Sequence, residues 1–140
     1  MKVTFTVPMQ PEPKGSVSAY PYKKMDGSYG ARVVHSPRAM EFEGVVSLMA
    51  GVAMRAAGLD MMEDCAVDVH IDFYLDKGKS VKRPRPWVKP DLDKLLRAAK
   101  DGMTGLVYKD DAQVCHVDAW KMYAAPGRDP SAVVRVMTLE

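Results

Sequence analysis

Asp91 and Asp93 stand two residues apart behind Pro90, and Asp110 and Asp111 stand side by side one short loop later. Upstream, residues 77–89 carry six cations (Lys77, Lys79, Lys82, Arg83, Arg85 and Lys89) and no anion. Carboxylate oxygens suit a hard cation such as Mg2+, with Mn2+ as a substitute. A basic strip beside them suits a phosphate backbone. A metal in such a place polarises a phosphate and lowers the pKa of a bound water, which is the chemistry of phosphodiester hydrolysis.

The acids work together only if the backbone lets them meet. Two residues on a helix turn through about 200°, so Asp91 and Asp93 diverge if both are helical. They converge if Asp91 is the N-cap and Asp93 lies in the first turn, where free amides and the helix dipole favour carboxylates. Pro90 interrupts the chain at the right point and biases Lys89 towards an extended conformation. Arg97, four residues past Asp93, lies on the same face one turn on. It is placed either for a salt bridge or to neutralise charge on a reacting phosphate. In a strand Asp110 and Asp111 would face opposite sides, so one of the two is expected to join the pair.

The remaining elements follow from periodicity. Val3, Phe5 and Val7 alternate with polar residues, a half-buried strand. Residues 8–30 hold four prolines and turn positions at Gly15, Ser16, Gly27 and Ser28, a long loop or loose hairpin. Its Lys14, Lys23 and Lys24 mix with Tyr20, Tyr22 and Tyr29, a composition fit for backbone contacts and base stacking or for an ordinary exposed hairpin. Ser36-Pro37 begins a helix whose apolar face is Phe42, Val45, Val46, Met49, Val52, Ala53 and Ala56, ended by Gly58. Gly44, Ala50 and Gly51 would permit close helix packing. Val67 to Leu75 alternates with Asp68, His70, Asp72 and Tyr74, the clearest strand, and its polar face reads as solvated. Prolines 84, 86 and 90 make the basic segment an extended connector. Asp91 to Lys100 is a helix burying Leu92, Leu95, Leu96 and Ala99, with Gly102 as terminator. Val114 to Tyr123 and Val133 to Leu139 are strands. The expectation is one α+β domain over residues 1–140, with a mixed sheet and two main helices.

Composition sets bounds. The chain of 140 residues is 47% hydrophobic, enough for a core. No apolar run approaches the roughly 18 residues of a membrane span, and no signal-peptide block opens the chain. A cytoplasmic protein without a membrane partner is expected. Net charge is only +2, yet outside residues 77–89 fourteen Lys and Arg face eighteen Asp and Glu, so positive charge is concentrated beside Asp91. Cys65 and Cys115 lack CxxC partners and read as small buried hydrophobes. His35, His70 and His116 show no metal-ligand spacing.

Pro90-Asp91-Leu92-Asp93-Lys94-Leu95-Leu96-Arg97, then Asp110-Asp111-Ala112-Gln113-Val114, resembles the RusA-type Holliday junction resolvases, whose pattern is close to Pro-Asp-Leu-Asp-Asn-Leu-Leu-Lys followed by Asp-Asp-x-Gln-Val. The opening strand, the loop near Pro13-Lys14 and a late strand lysine, here Lys121, are also similar. The resemblance implies a RusA-like fold and a homodimer making paired, Mg2+-dependent incisions in branched DNA. It implies Asp91, Asp93 and Asp111 as metal ligands, with Asp110 as the alternative. The family asparagine is Lys94 here and the family lysine is Arg97, an exchange that changes shape and reach. Lys94 could take over part of that lysine's role. A non-catalytic branched-DNA-binding module and a nuclease for other branched DNA are the alternatives. Lys14, Lys79, Lys82, Arg83, Arg85, Lys89, Lys94 and Lys121 are the expected DNA contacts. Trp87 is placed to wedge or stack at the junction, or else to fill the core. Two symmetric cuts suit a two-fold dimer, with the helix from Phe42 to Ala56 as its expected contact surface.

Overall fold

A computed structural model describes residues 1–15 and 17–140, with the side chains of 17–19 and 33–35 left aside. Ser16, expected at a turn, and the side chain of His35 lie outside the described residues. The elements are β1 (Lys2–Val7), β2 (Val17–Lys23), β3 (Tyr29–His35), α1 (Pro37–Ala56), β4 (Ala66–Leu75), α2 (Leu92–Met103), β5 (Val114–Tyr123) and β6 (Ser131–Leu139), with a 3-10 turn at Asp111–Gln113. The fold is α+β. Four strands form a mixed sheet in the order β1-β6-β4-β5, and β2 and β3 form a separate antiparallel hairpin. Of residues 8–30, those from Val17 on fall in the hairpin, and residues 8–15 run as a loop before it.

Three strands of the large sheet, β1, β4 and β6, turn one face to the helices. Val3, Phe5 and Val7 of β1, Val67, Val69, Ile71, Phe73 and Leu75 of β4, and Ala132, Val134 and Val136 of β6 are all buried. They meet Phe42, Val46, Ala50 and Met54 of α1 and Leu95, Ala98, Ala99 and Met103 of α2 in one core. The α1 stripe is therefore mainly core, while Met40, Leu48 and Val52 face outward. Pro37 enters α1 at its first turn. Gly58 leaves it with φ +64°. Gly58 and Leu59 donate their amides to the Arg55 and Met54 carbonyls, the double bond that closes a helix on a left-handed residue.

β4 and β5 run parallel. Parallel neighbours need a crossover, and residues 76–113, with α2 inside them, supply it. The basic connector thus leads from one end of β4 into α2, and the Asp110–Gln113 turn leads from α2 back into β5. The edge position of β5 leaves Cys115 exposed, against the expectation that it is buried, while Cys65 is half-buried.

Gly102 does not end α2. The helix runs through it to Met103, because the missing side chain is what lets α1 approach. A Cβ there would lie 2.8 Å from the Glu43 carbonyl oxygen and 2.9 Å from Val46. Ser47 Oγ donates to the Gly102 carbonyl at 2.6 Å, tying the two helices at this crossing. Gly44, by contrast, has nothing within 4 Å of such a Cβ. Gly102→Ala should therefore lose about 1–3 kcal/mol in urea unfolding through overpacking, although alanine is worth about 1 kcal/mol more than glycine in a free helix.

Candidate metal and nucleic-acid site

Asp91 occupies the N-cap of α2 with φ −71° and ψ 140°, and its side chain makes no capping hydrogen bond. Its carboxylate is about half exposed and faces Lys94 Nζ at 3.6 Å. The position is that of a cap, but the carboxylate remains free for other work. Asp93 follows in the first turn and is exposed, as is Arg97.

The entry to α2 is held from the side. Lys121 on β5 donates to the Val88 carbonyl at 2.7 Å and to the Pro90 carbonyl at 2.9 Å. Lys14 donates its backbone amide to the Lys94 carbonyl at 3.0 Å, laying the first loop across α2. Its ammonium lies 2.8 Å from both Glu43 and Asp101. Burial works against that charge, but the bonds to Asp101 and Glu43 outweigh it and hold the Lys14 pKa above its ordinary value. Lys14 and Lys121, both expected at DNA, are thus engaged inside the fold. Gln10, Pro11, Glu12 and Pro13 then wall a cleft with Lys89, Pro90, Asp91 and Lys94. Glu12 in this wall was not singled out from the sequence. Burial, opposed by Arg38 and helped by Glu41, pushes its carboxyl up from the usual value.

The adjacent acids have separate tasks. Asp110 accepts from the Ala112 amide at 2.8 Å, and Gln113 Oε1 accepts from the Asp110 amide at 2.8 Å. This is a capping box on the 3-10 turn. Gln113 Nε2 then donates to the Met62 and Cys65 carbonyls, at 3.1 and 3.0 Å, pinning the turn to the chain before β4. Asp111 takes no part in this box. It is about half exposed and meets Lys100 Nζ at 3.1 Å.

The carboxylates of Asp91, Asp93 and Asp111 do not all stand within 4.8 Å of one another. Lys100, which Asp111 holds, begins seven residues beyond Asp93, roughly 10 Å along the helix axis. The crossover puts the Asp91–Asp93 pair where the chain enters α2 and Asp111 where it leaves. Asp93, Arg97 and Lys100 share the helix face between them.

The basic connector is largely open. Lys79, Lys82, Arg85 and Lys89 are exposed, and none pairs with an acid among the described residues. Arg83 is more engaged: its Nε donates to Tyr123 Oη at 2.7 Å. Trp87 is 69% exposed, which removes the core reading. With Arg85, Pro86, Leu92, Val117 and Trp120 it lines a shallow groove beside α2. Arg85 lies over the Trp120 ring at 5.9 Å.

The polar face of β4, expected to be solvated, holds a second cluster in which Asp68 is buried. Asp68 on β4 meets His70 Nε2 at 3.1 Å and His116 Nδ1, from β5, at 2.8 Å. Burial works to raise the Asp68 carboxyl, but the bonds from His116 and His70 win and hold it below its ordinary value. The signal was hidden because His116 reaches Asp68 only through the parallel pairing, next to a register shift at Val67/Asp68.

The family model of endodeoxyribonuclease RusA matches residues 8–137. The chain belongs to the RusA endodeoxyribonuclease family. A relative, the uncharacterized protein YqaN of Bacillus subtilis (strain 168), is 41% identical over 44 residues, which is 31% of this chain and 31% of YqaN. The match thus spans about a third of that relative's length.

The division between Asp110 and Asp111 has a direct consequence. Asp110→Ala and Gln113→Ala should each cost about 1–2 kcal/mol of folding stability, as lost caps do. Asp91→Ala and Asp111→Ala should cost less than about 0.5 kcal/mol, as exposed positions outside such features do. Urea titrations of the four variants give the comparison.

Proposed function

We propose that this RusA family member is a divalent-metal-dependent, structure-selective endonuclease. It resolves four-way DNA junctions by paired phosphodiester hydrolysis and acts as a homodimer. Residues 1–140 serve as one nuclease domain. The observation that carries the reading is the Asp91 carboxylate, placed at the start of α2, left out of the cap and set beside an unpaired basic connector.

Asp91, Asp93 and Asp111 are the residues that would hold Mg2+, or Mn2+ in its place. Their all-oxygen donor set suits a hard cation. The bound metal would polarise the scissile phosphate and supply hydroxide from a coordinated water. The chain's own side chains do the rest. Lys79, Lys82, Arg85 and Lys89 take the backbone phosphates of the incoming strands. Trp87, with Arg85 and Trp120 beside it, offers a face on which an unstacked junction base can rest. Lys94 and Arg97 stand within the same stretch of α2 as the acids and balance their charge. Arg97 is the closer match to the family lysine in position, and its guanidinium can bind a phosphate in two-pronged fashion.

In the homodimer each chain brings its own Asp91, Asp93 and Asp111. Two-fold symmetry then gives two such sites, as paired cuts require. The outward Met40, Leu48 and Val52 of α1 offer an apolar contact surface for the dimer.

A labelled four-way junction and a matching duplex test this, with Mg2+ or with chelator. Symmetric nicks in the junction alone, and only with metal, are expected. Asp91→Asn and Asp111→Asn should each lose more than the roughly 10–100-fold that a lost supporting residue costs a metal site. Full cutting by either variant would take its acid out of the site. Junction binding without nicks by the unaltered protein would make it a DNA-binding module instead.

A further inference from the structure

We propose that Asp68, His70 and His116 form a site for a first-row transition ion, with Zn2+ as the fitting case, separate from the acids of α2. The site lies on the face of the sheet that the helices leave open. One ligand atom from each of the three residues comes within 4.8 Å of the other two, the one such group among the described residues. Tetrahedral zinc with bonds of about 2.0–2.2 Å keeps its ligand atoms roughly 3.3 Å apart. The observed pairs, 3.1 Å for His70 Nε2 to Asp68 and 2.8 Å for His116 Nδ1 to Asp68, need only a small expansion to admit the ion.

Several features fit a metal better than a bare hydrogen-bonded trio. Asp68 is the only buried charged residue among the described residues, at 7% exposure, and its two oxygens face the two imidazoles. The far nitrogen of His70, Nδ1, stands 3.6 Å from an Asp118 oxygen. A carboxylate behind a ligating histidine fixes its tautomer and raises its basicity. When the ion enters, each neutral imidazole moves its proton to the nitrogen away from Asp68. For His70 that nitrogen faces Asp118, and for His116 the side chain is 61% exposed, so its far nitrogen meets water. No net proton need leave.

Nitrogen donors favour zinc, copper or nickel over magnesium. With three protein ligands and solvent access at His116, the fourth position is open to water or an anion. Thr4, His70, Asp72, Asp118, Trp120 and Arg135 line the adjoining hollow, where two carboxylates outnumber the single guanidinium. The ion would staple β5, an edge strand, to β4. The same strand carries Lys121, so the staple bears on the entry to α2.

The experiment titrates Zn2+ into full-length, tag-free, chelator-stripped protein by calorimetry, with Co2+ absorption as a second readout. One ion per chain is expected, with micromolar or tighter affinity and a higher melting temperature on binding. His116→Ala changes an exposed edge residue and should weaken binding at least about tenfold. His70→Asn should do the same. Asp91→Asn and Cys115→Ser should bind as the unaltered protein does, and millimolar Mg2+ should not displace the ion. Absence of stoichiometric binding would overturn the proposal. So would binding that survives His116→Ala and His70→Asn, or that disappears with Cys115→Ser or Asp91→Asn.

Discussion

An ammonium on an edge strand decides where the acids stand. Lys121 reaches from β5 to the carbonyls of Val88 and Pro90. These are among the last groups before α2, in a proline-broken segment with no ladder of its own to satisfy them. Charge-assisted bonds of this kind are about twice as strong as neutral ones. The grip sets the point at which Asp91 takes up the N-cap. From there the helix rise and the Gly102 crossing with α1 set Asp93, Arg97 and Lys100. Without the clasp the basic connector would keep the Arg83 bond to Tyr123 and the Arg85 contact with Trp120, but the Asp91 carboxylate would lose its fixed place beside it.

The cations divide between two duties. Lys14 and Lys121 are spent inside the fold, the first on Glu43 and Asp101, the second on backbone carbonyls. Arg83 is partly spent on Tyr123. Lys79, Lys82, Arg85 and Lys89 remain open. Composition alone cannot make this distinction, since a lysine reads the same whether it grips a carbonyl or a phosphate. Lys94 and Lys100 are intermediate. Each rests against an acid, Asp91 or Asp111, with enough exposure for the pair to open. Exposed pairs of this kind contribute little, about 0–1 kcal/mol, so a divalent ion can displace the lysines at small cost.

Local patterns in the sequence were legible, and long-range ones were not. The alternation of Val67 to Leu75 with polar residues specifies β4 and its buried face. Ser36-Pro37 and Gly58 bracket α1, and Pro90 marks where α2 begins. The partition of Asp110 from Asp111 depends on a turn whose Gln113 reaches Met62 and Cys65, some fifty residues back. The Asp68–His70–His116 cluster depends on parallel strands meeting in one register. Gly102 reads as a terminator by the usual preference, yet it is an approach point because α1 passes over it. In each case the deciding contact is with a residue distant in sequence. Exposure of Trp87 and Cys115 has the same origin, since both lie beside the uncovered edge strand.

The central claim is that Asp91 and Asp111 are metal-holding carboxylates while Asp110 is a cap. Calorimetric titration of Mn2+ into the protein, with the Asp68 cluster removed by His116→Ala, tests it most directly. The account predicts that Asp91→Asn and Asp111→Asn each weaken Mn2+ binding by at least about tenfold, whereas Asp110→Asn binds normally and melts at a lower temperature. Unchanged Mn2+ affinity in the Asp91 and Asp111 variants, or a loss confined to Asp110→Asn, would contradict it.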